Sequence, residues 1–197
     1  MGDRTVSVTN FEVASAGDRV VASCRVRDAG GAETELRYEV DGAPVTRHLS
    51  VADAFFAPCL LYALKRRANL HVGVPISERL AFSASDIAFI VGTQLGYDTD
   101  PAIWFDEIVT VRREGRGAIA GFSSGVDSWF TLKRAFLDCN APSLRLNTLL
   151  VNDVGANKSE AKRREVVARA REVAGEHHLG VVIVRSNMDR FLSMGFQ

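Results

Sequence analysis

The sequence predicts an α/β protein: an antiparallel, β-rich N-terminal module with helices over residues 1–114, then a parallel-sheet βαβαβ domain over 115–197. Three observations carry this expectation. The first fifty residues are runs of β-branched and aromatic residues broken by turn signals. Apolar residues then recur at helical spacing from Phe55 to Ala68. Beyond Gly117, short continuous apolar runs alternate with amphipathic stretches, the pattern of buried parallel strands covered by helices.

TVSVTNFEV, RVVASCRVR, ELRYEV and VTRHLSV are the first strand candidates, an antiparallel meander of three or four. Ala16-Gly17-Asp18, Gly30-Gly31 and Asp41-Gly42 separate them, and Asp41-Gly42-Ala43-Pro44 is a hairpin signal because Gly42 can take positive φ. Phe55, Cys59, Leu60, Ala63, Leu64 and Ala68 define a helix with Ser50 or Asp53 as its cap. Proline fits only a first turn, so regular helix is expected from about Pro58 to Ala68. A second helix is expected over Ser85–Leu95, ending at Gly96, and an extended segment over Ile103–Arg113. Gly115-Arg116-Gly117 marks the boundary. After it come strand Ala118–Phe122, helix Ser128–Leu137, strand Leu146–Val151, helix Ser159–Glu176 and strand Val181–Val184.

Basic and acidic side chains balance at 24 each, so a nucleic-acid binder acting through bulk charge is not expected. The three cysteines form no Cys-x-x-Cys pair, which argues against a disulfide scaffold or a Cys-rich zinc site. The N-terminus has no signal-peptide core, and the apolar stretch Val51–Leu64 falls short of the roughly 20 residues that span a bilayer. A reduced, cytoplasmic protein without a membrane segment is the expectation.

The chemistry concentrates in Ala118-Ile-Ala-Gly-Phe-Ser-Ser-Gly-Val-Asp-Ser-Trp. A buried strand ends at Phe122, small residues follow, and a helix begins near Asp127 or Ser128. Small side chains at Ser123, Ser124 and Gly125 let backbone N–H groups approach an anion, and the helix N-terminus favours negative charge. Asp127 beside a phosphate is repulsive unless it holds Mg²⁺ or caps the helix. The plainer alternative is a capped strand-to-helix turn.

Ser-Ser-Gly-Val-Asp-Ser in this setting resembles the PP-loop, Ser-Gly-Gly-x-Asp-Ser, of N-type ATP pyrophosphatases in the adenine-nucleotide α-hydrolase-like superfamily. The departure is Ser124, which stands at the motif's first glycine; a positive φ there costs about 1 kcal/mol or more in a serine. The resemblance implies a Rossmann-like domain that binds ATP and Mg²⁺. Phe122, Ser123, Ser124, Gly125, Val126, Asp127 and Ser128 would form the loop. Within it Ser123, Gly125 and Ser128 would hold the β- and γ-phosphates, and Asp127 would position Mg²⁺ or the loop, with Asp127 and Ser128 as the catalytic candidates. Val151, Asn152 and Asp153 would lie beside the adenosine, and Asn187 near nucleotide or substrate. It also implies an activity: adenylation of a small-molecule carboxylate or amide with release of pyrophosphate, ahead of amide, nitrile, ureido or thio product formation. The alternative is a non-catalytic nucleotide-binding or scaffold protein with a degenerate loop.

Other polar groups read more plainly. Asn157 or Ser159 suits a helix cap, while Lys158 could reach a phosphate. The charges from Glu160 to Glu172 suit a solvated helix face, with RNA such as tRNA left open. His177-His178 suit a helix C-terminus, His48 and His71 show no relay partner, Cys139 suits a buried structural role, and Trp129 and Phe130 suit packing. Residues 115–197 supply fewer strands than the family's sheet, so the domain is expected to be incomplete, completed by a C-terminal complement or a homodimer partner.

Overall fold

The computed structural model describes residues 4–42, 50–97, 101–111, 117–155 and 159–193. Along the chain these form β1 (Thr5–Ala16), β2 (Arg19–Arg27), β3 (Glu33–Asp41), α1 (Asp53–Arg66), β4 (Asn69–Val72), β5 (Ile76–Ser77), α2 (Glu78–Gln94), β6 (Ile103–Phe105) and β7 (Ile108–Val109). There follow β8 (Ala118–Gly121), α3 (Val126–Leu132), β9 (Leu146–Asp153), α4 (Glu160–His177), β10 (Gly180–Ser186) and α5 (Met188–Ser193). Expectations that fall on residues 43–49 (including His48), 112–116, 156–158 (including Asn157 and Lys158) and 194–197 lie outside the described residues.

Eight strands make one mixed sheet in the order β6-β4-β1-β2-β3-β10-β9-β8, and β5 pairs with β7 apart from it. The β1, β2 and β3 runs are antiparallel, and β8, β9 and β10 are parallel, each as their apolar patterns imply. The joint between them is an antiparallel ladder of β3 with β10, from Ile183 opposite Asp41 to Ser186 opposite Tyr38. One ladder thus runs through residues on both sides of the boundary read at 114/115.

Pairing places the helices. Leu36 and Tyr38 of β3 point into a core built from β1–β4 with α1, α2 and α5. Ile183 of β10 lies opposite Asp41, on the other face, and belongs to a second core with α3 and α4. The two cores therefore occupy opposite faces of the sheet, because neighbours directly across a ladder share a face.

Helix α1 starts at Asp53 and carries Pro58 in its interior, which corrects the expected start at Pro58. Pro58 has no N–H for the Ala54 carbonyl, and the Tyr38 hydroxyl donates to that oxygen instead at 3.3 Å. Burial pushes the Tyr38 phenol up to about 12. Asp53 does not cap its own helix: it accepts from the Ser77 N–H (2.8 Å) and the Ser77 hydroxyl (2.6 Å). Ser77 in turn accepts from the Leu80 N–H, so α2 begins at Glu78 rather than Ser85. β4, β5 and α5 had no counterpart in the sequence reading. Helix α3 begins at Val126 rather than Ser128 and passes into a π-helical turn over Lys133–Leu137.

Three further readings change. His71 has a partner, Asp106, at 2.9 Å, and stacks on Trp104 with ring centroids 5.4 Å apart. Cys139 is half-buried rather than buried, its thiol donating to the Ala141 carbonyl at 3.5 Å. Phe130 is exposed and does not pack. Cys24 and Cys59 are both buried, and the hydrogen bond of the Cys59 thiol to Cys24 together with burial holds that thiol well above its usual range. His177 ends α4 and His178 caps it in the left-handed region. No helix among the described residues is long and apolar enough to cross a membrane.

Candidate functional site

The turn from β8 to α3 begins where the buried Phe122 ring anchors the chain, its edge against Trp129 at 5.4 Å. The Phe122 N–H donates to the Leu150 carbonyl at 2.8 Å, tying the loop to β9. Ser128 is buried and organises the turn: its hydroxyl oxygen accepts from the Ser123 N–H at 2.9 Å and pairs with the Ser123 hydroxyl at 2.9 Å. The Gly125 carbonyl accepts from the Ser128 and Trp129 amides, starting α3. The amides of Val126 and Asp127, in the first turn, have no acceptor within the helix and remain available to an anion.

Between this loop and the end of β9 lies a cleft of about 300 Å³. Gly121, Phe122, Ser123 and Ser128 form one wall, Leu150–Asp153 the other, and Arg163 and Val166 of α4 the back. It sits beyond the C-terminal ends of two parallel strands, the usual position of a ligand in an open α/β sheet. Of the residues singled out from the sequence, Phe122, Ser123, Ser128, Val151, Asn152 and Asp153 meet there. Phe122 and Val151 contribute backbone, since their side chains lie in the second core. Ser124, Gly125, Val126 and Asp127 stand outside the lining, Val126 and Asp127 being exposed.

Asn187 is placed elsewhere. Its side-chain oxygen accepts from the Arg37 N–H at 2.9 Å and its amide donates to the Glu35 carbonyl at 2.8 Å, so it staples β3 at the foot of α5. It lines a separate hollow with Glu35, Arg37, Glu39, Arg185 and Ser186.

Arg163 is the cleft residue that sequence reading left among the helix charges. Its guanidinium bonds Glu160 and lies 3.8 Å from Asp153, and the Glu160 hydrogen bonds hold its protonated form still more firmly. The signal was its position one turn into the helix that follows β9, where a βα unit turns toward the strand ends. Asp153 also lies 4.0 Å from Arg185, so its carboxylate is shared between two cations. Arg169 lies over the Trp129 ring at 5.5 Å, and Glu160, Glu165 and Glu172 pair with neighbouring Lys and Arg one turn away, as a solvated helix face does.

Ser124 adopts φ 63°, the left-handed region. Its hydroxyl oxygen is shielded from solvent and has no hydrogen-bond partner. Strain and an orphaned hydroxyl both act against the folded loop, so Ser124→Gly is expected to stabilise the protein by about 1–2 kcal/mol. Chemical denaturation measures this; a glycine variant no more stable than the parent contradicts the strained conformation.

No family model, no curated protein and no solved structure matches the chain.

Proposed function

We propose that the chain carries the nucleotide-binding part of an ATP-dependent adenylating enzyme, with the cleft between the β8–α3 loop and the end of β9 as its ATP site. The observation that supports this reading is the position of the cleft: a loop of small residues and a helix N-terminus meet the ends of parallel strands. The resemblance of Ser123–Ser128 to a PP-loop gives the chemistry its direction.

The Ser123 hydroxyl on the cleft wall would take a phosphate oxygen, the first-turn amides of α3 lie beside the cleft rather than in its lining, and Arg163, paired with Glu160 and Asp153, stands at the back. Backbone groups of Val151–Asp153 would read the adenine edge. Asp127, the loop's carboxylate, would position Mg²⁺ beside the phosphates. Bound there it would neutralise phosphate oxygens. A substrate carboxylate or amide oxygen attacks the α-phosphorus; the new O–P bond forms as the bond to pyrophosphate breaks. An amine, ammonia or sulfur nucleophile then displaces AMP. The protein's part is positioning and charge stabilisation, which needs no nucleophilic side chain.

Titration calorimetry with ATP and Mg²⁺ is expected to show binding that Asp127→Ala weakens about tenfold, or 1.4 kcal/mol. Pyrophosphate release across carboxylate and amide substrates tests turnover. Absence of ATP binding ends the reading. Ser124 favours a second reading, nucleotide binding without turnover, because it brings strain and an unpaired hydroxyl where the resembled loops carry glycine. Binding without pyrophosphate release, indifferent to Asp127→Ala, selects it.

A further inference from the structure

Strands β9 and β10 are parallel neighbours, yet the segments that follow them leave on opposite faces of the sheet. The chain after β9 enters α4, which packs in the second core, and the chain after β10 enters α5, whose Phe191 lies in the first. Neighbouring strands whose connections part in this way leave a crevice beyond their C-terminal ends, and open α/β sheets bind ligands there. A hollow of about 610 Å³ occupies that position, between Asp153 and Gly155 on one side, Arg185 and Ser186 on the other, and a face of α4. Asp153 and Arg163 line both this crevice and the cleft beside the β8–α3 loop. We propose that the crevice holds an anionic group, carboxylate or phosphate, at the far end of the small molecule that is adenylated in the cleft, a reading that rests on the cleft being the ATP site.

The charge of the lining selects an anion. Four arginines, Arg163, Arg164, Arg171 and Arg185, stand against two carboxylates, Asp153 and Glu160. Arg163 and Arg164 share Glu160, and Arg185 is held between Asp153 and Asp41, so the ion pairs orient these guanidinium groups. Even with Asp41 counted, cations outnumber carboxylates. Arg171 is exposed and has no carboxylate partner among the described residues. Its planar fork of N–H donors matches two oxygens of a carboxylate or phosphate. Arg163, at the cleft, and Arg171 are eight residues apart on α4, so the reacting end and the anionic end of the substrate are separated by up to about 12 Å. Val167 and Ala168 lie between them and offer an apolar floor to a short hydrocarbon segment. The volume is that of a small-molecule pocket.

Backbone amide shifts of the isotope-labelled full chain, titrated with inorganic phosphate and separately with glutarate from about 0.1 to 20 mM, locate the site. Binding is expected to move the amides of Val167, Ala168 and Ser186, and the anion that binds more tightly identifies the group as phosphate or carboxylate. Arg171→Gln should weaken that binding about tenfold and leave calorimetric affinity for ATP and Mg²⁺ unchanged. Arg134→Gln removes an exposed cation outside the crevice and should change neither. Shifts confined to Ser123–Ser128, binding indifferent to Arg171→Gln, or binding weakened as much by Arg134→Gln overturns the proposal. ATP binding without any anion response in the crevice overturns this proposal alone. An anion response without ATP binding overturns the adenylation reading and leaves the crevice as an anion site.

Discussion

Replacing Gly42 with alanine is expected to cost about 3 kcal/mol and to uncouple the two ends of the sheet. Gly42 follows β3 with φ 81°, and a Cβ built on it would lie 2.3 Å from the Val181 carbonyl oxygen of β10. The left-handed backbone alone costs an alanine about 1–2 kcal/mol. The clash is with backbone, so no rotamer relieves it, and the end of β3 must lift from β10. That ladder covers the Tyr38–Asp41 stretch and is reinforced by the ion pair of Asp41 with Arg185, while Arg19 of β2 holds Asp41 from the other side. Burial opposes the charge on Asp41, but the Arg185 and Arg19 hydrogen bonds outweigh it and hold the carboxyl below its usual range. Gly17→Ala is the control: φ is also positive there, at 59°, but nothing lies within 4 Å of an added Cβ. The two tryptophans provide separate readouts, Trp104 on β6 at one edge of the sheet and Trp129 on α3 beside the other. In single-tryptophan versions of the parent chain their urea transitions are expected to coincide, and in Gly42→Ala to separate. Loss no larger than that of Gly17→Ala would show that the β3–β10 joint tolerates the side chain.

This joint is also where sequence reading reached its limit. The parallel strands were legible because each is a continuous apolar run, and the meander because the turns between β1, β2 and β3 carry Gly17 and Gly31, both at positive φ. Nothing local announces that Asp41 meets Arg185, far along the chain, so the β3–β10 ladder was not read from the sequence. Strand β4, between β1 and β6, is only four residues long, too short for alternation to register. The interior Pro58 was misjudged because its compensation, the Tyr38 hydroxyl, comes from another element. At the site, the order Ser-Ser-Gly-Val-Asp-Ser located the turn and the cleft beside it. It could not report that Ser128 is committed to Ser123, that Asp127 stands outside the cleft lining, or that Asn187 serves β3. Those facts depend on where side chains point once the loop has closed.

Phe191→Ala should be the most destabilising of the single substitutions considered, at about 3–5 kcal/mol. Phe191 belongs to α5, which follows the last strand, yet its ring is 1% exposed and lies in the first core. It packs on Tyr62 of α1 with centroids 4.9 Å apart. Truncation opens a cavity beside Tyr62, where α5 meets α1 and β3, and the sheet on one side and α1 on the other keep it from closing. Because the β3–β10 ladder stays intact, the Trp104 and Trp129 transitions are expected to move down together, in contrast to their separation in Gly42→Ala. Phe130→Ala, whose ring is 62% exposed, serves as the control and should change stability by no more than about 0.5 kcal/mol. A Phe191→Ala loss as small as that of Phe130→Ala would mean that α5 does not seat in the first core. A large loss confined to the Trp104 probe would mean that the two cores unfold independently even with the ladder in place.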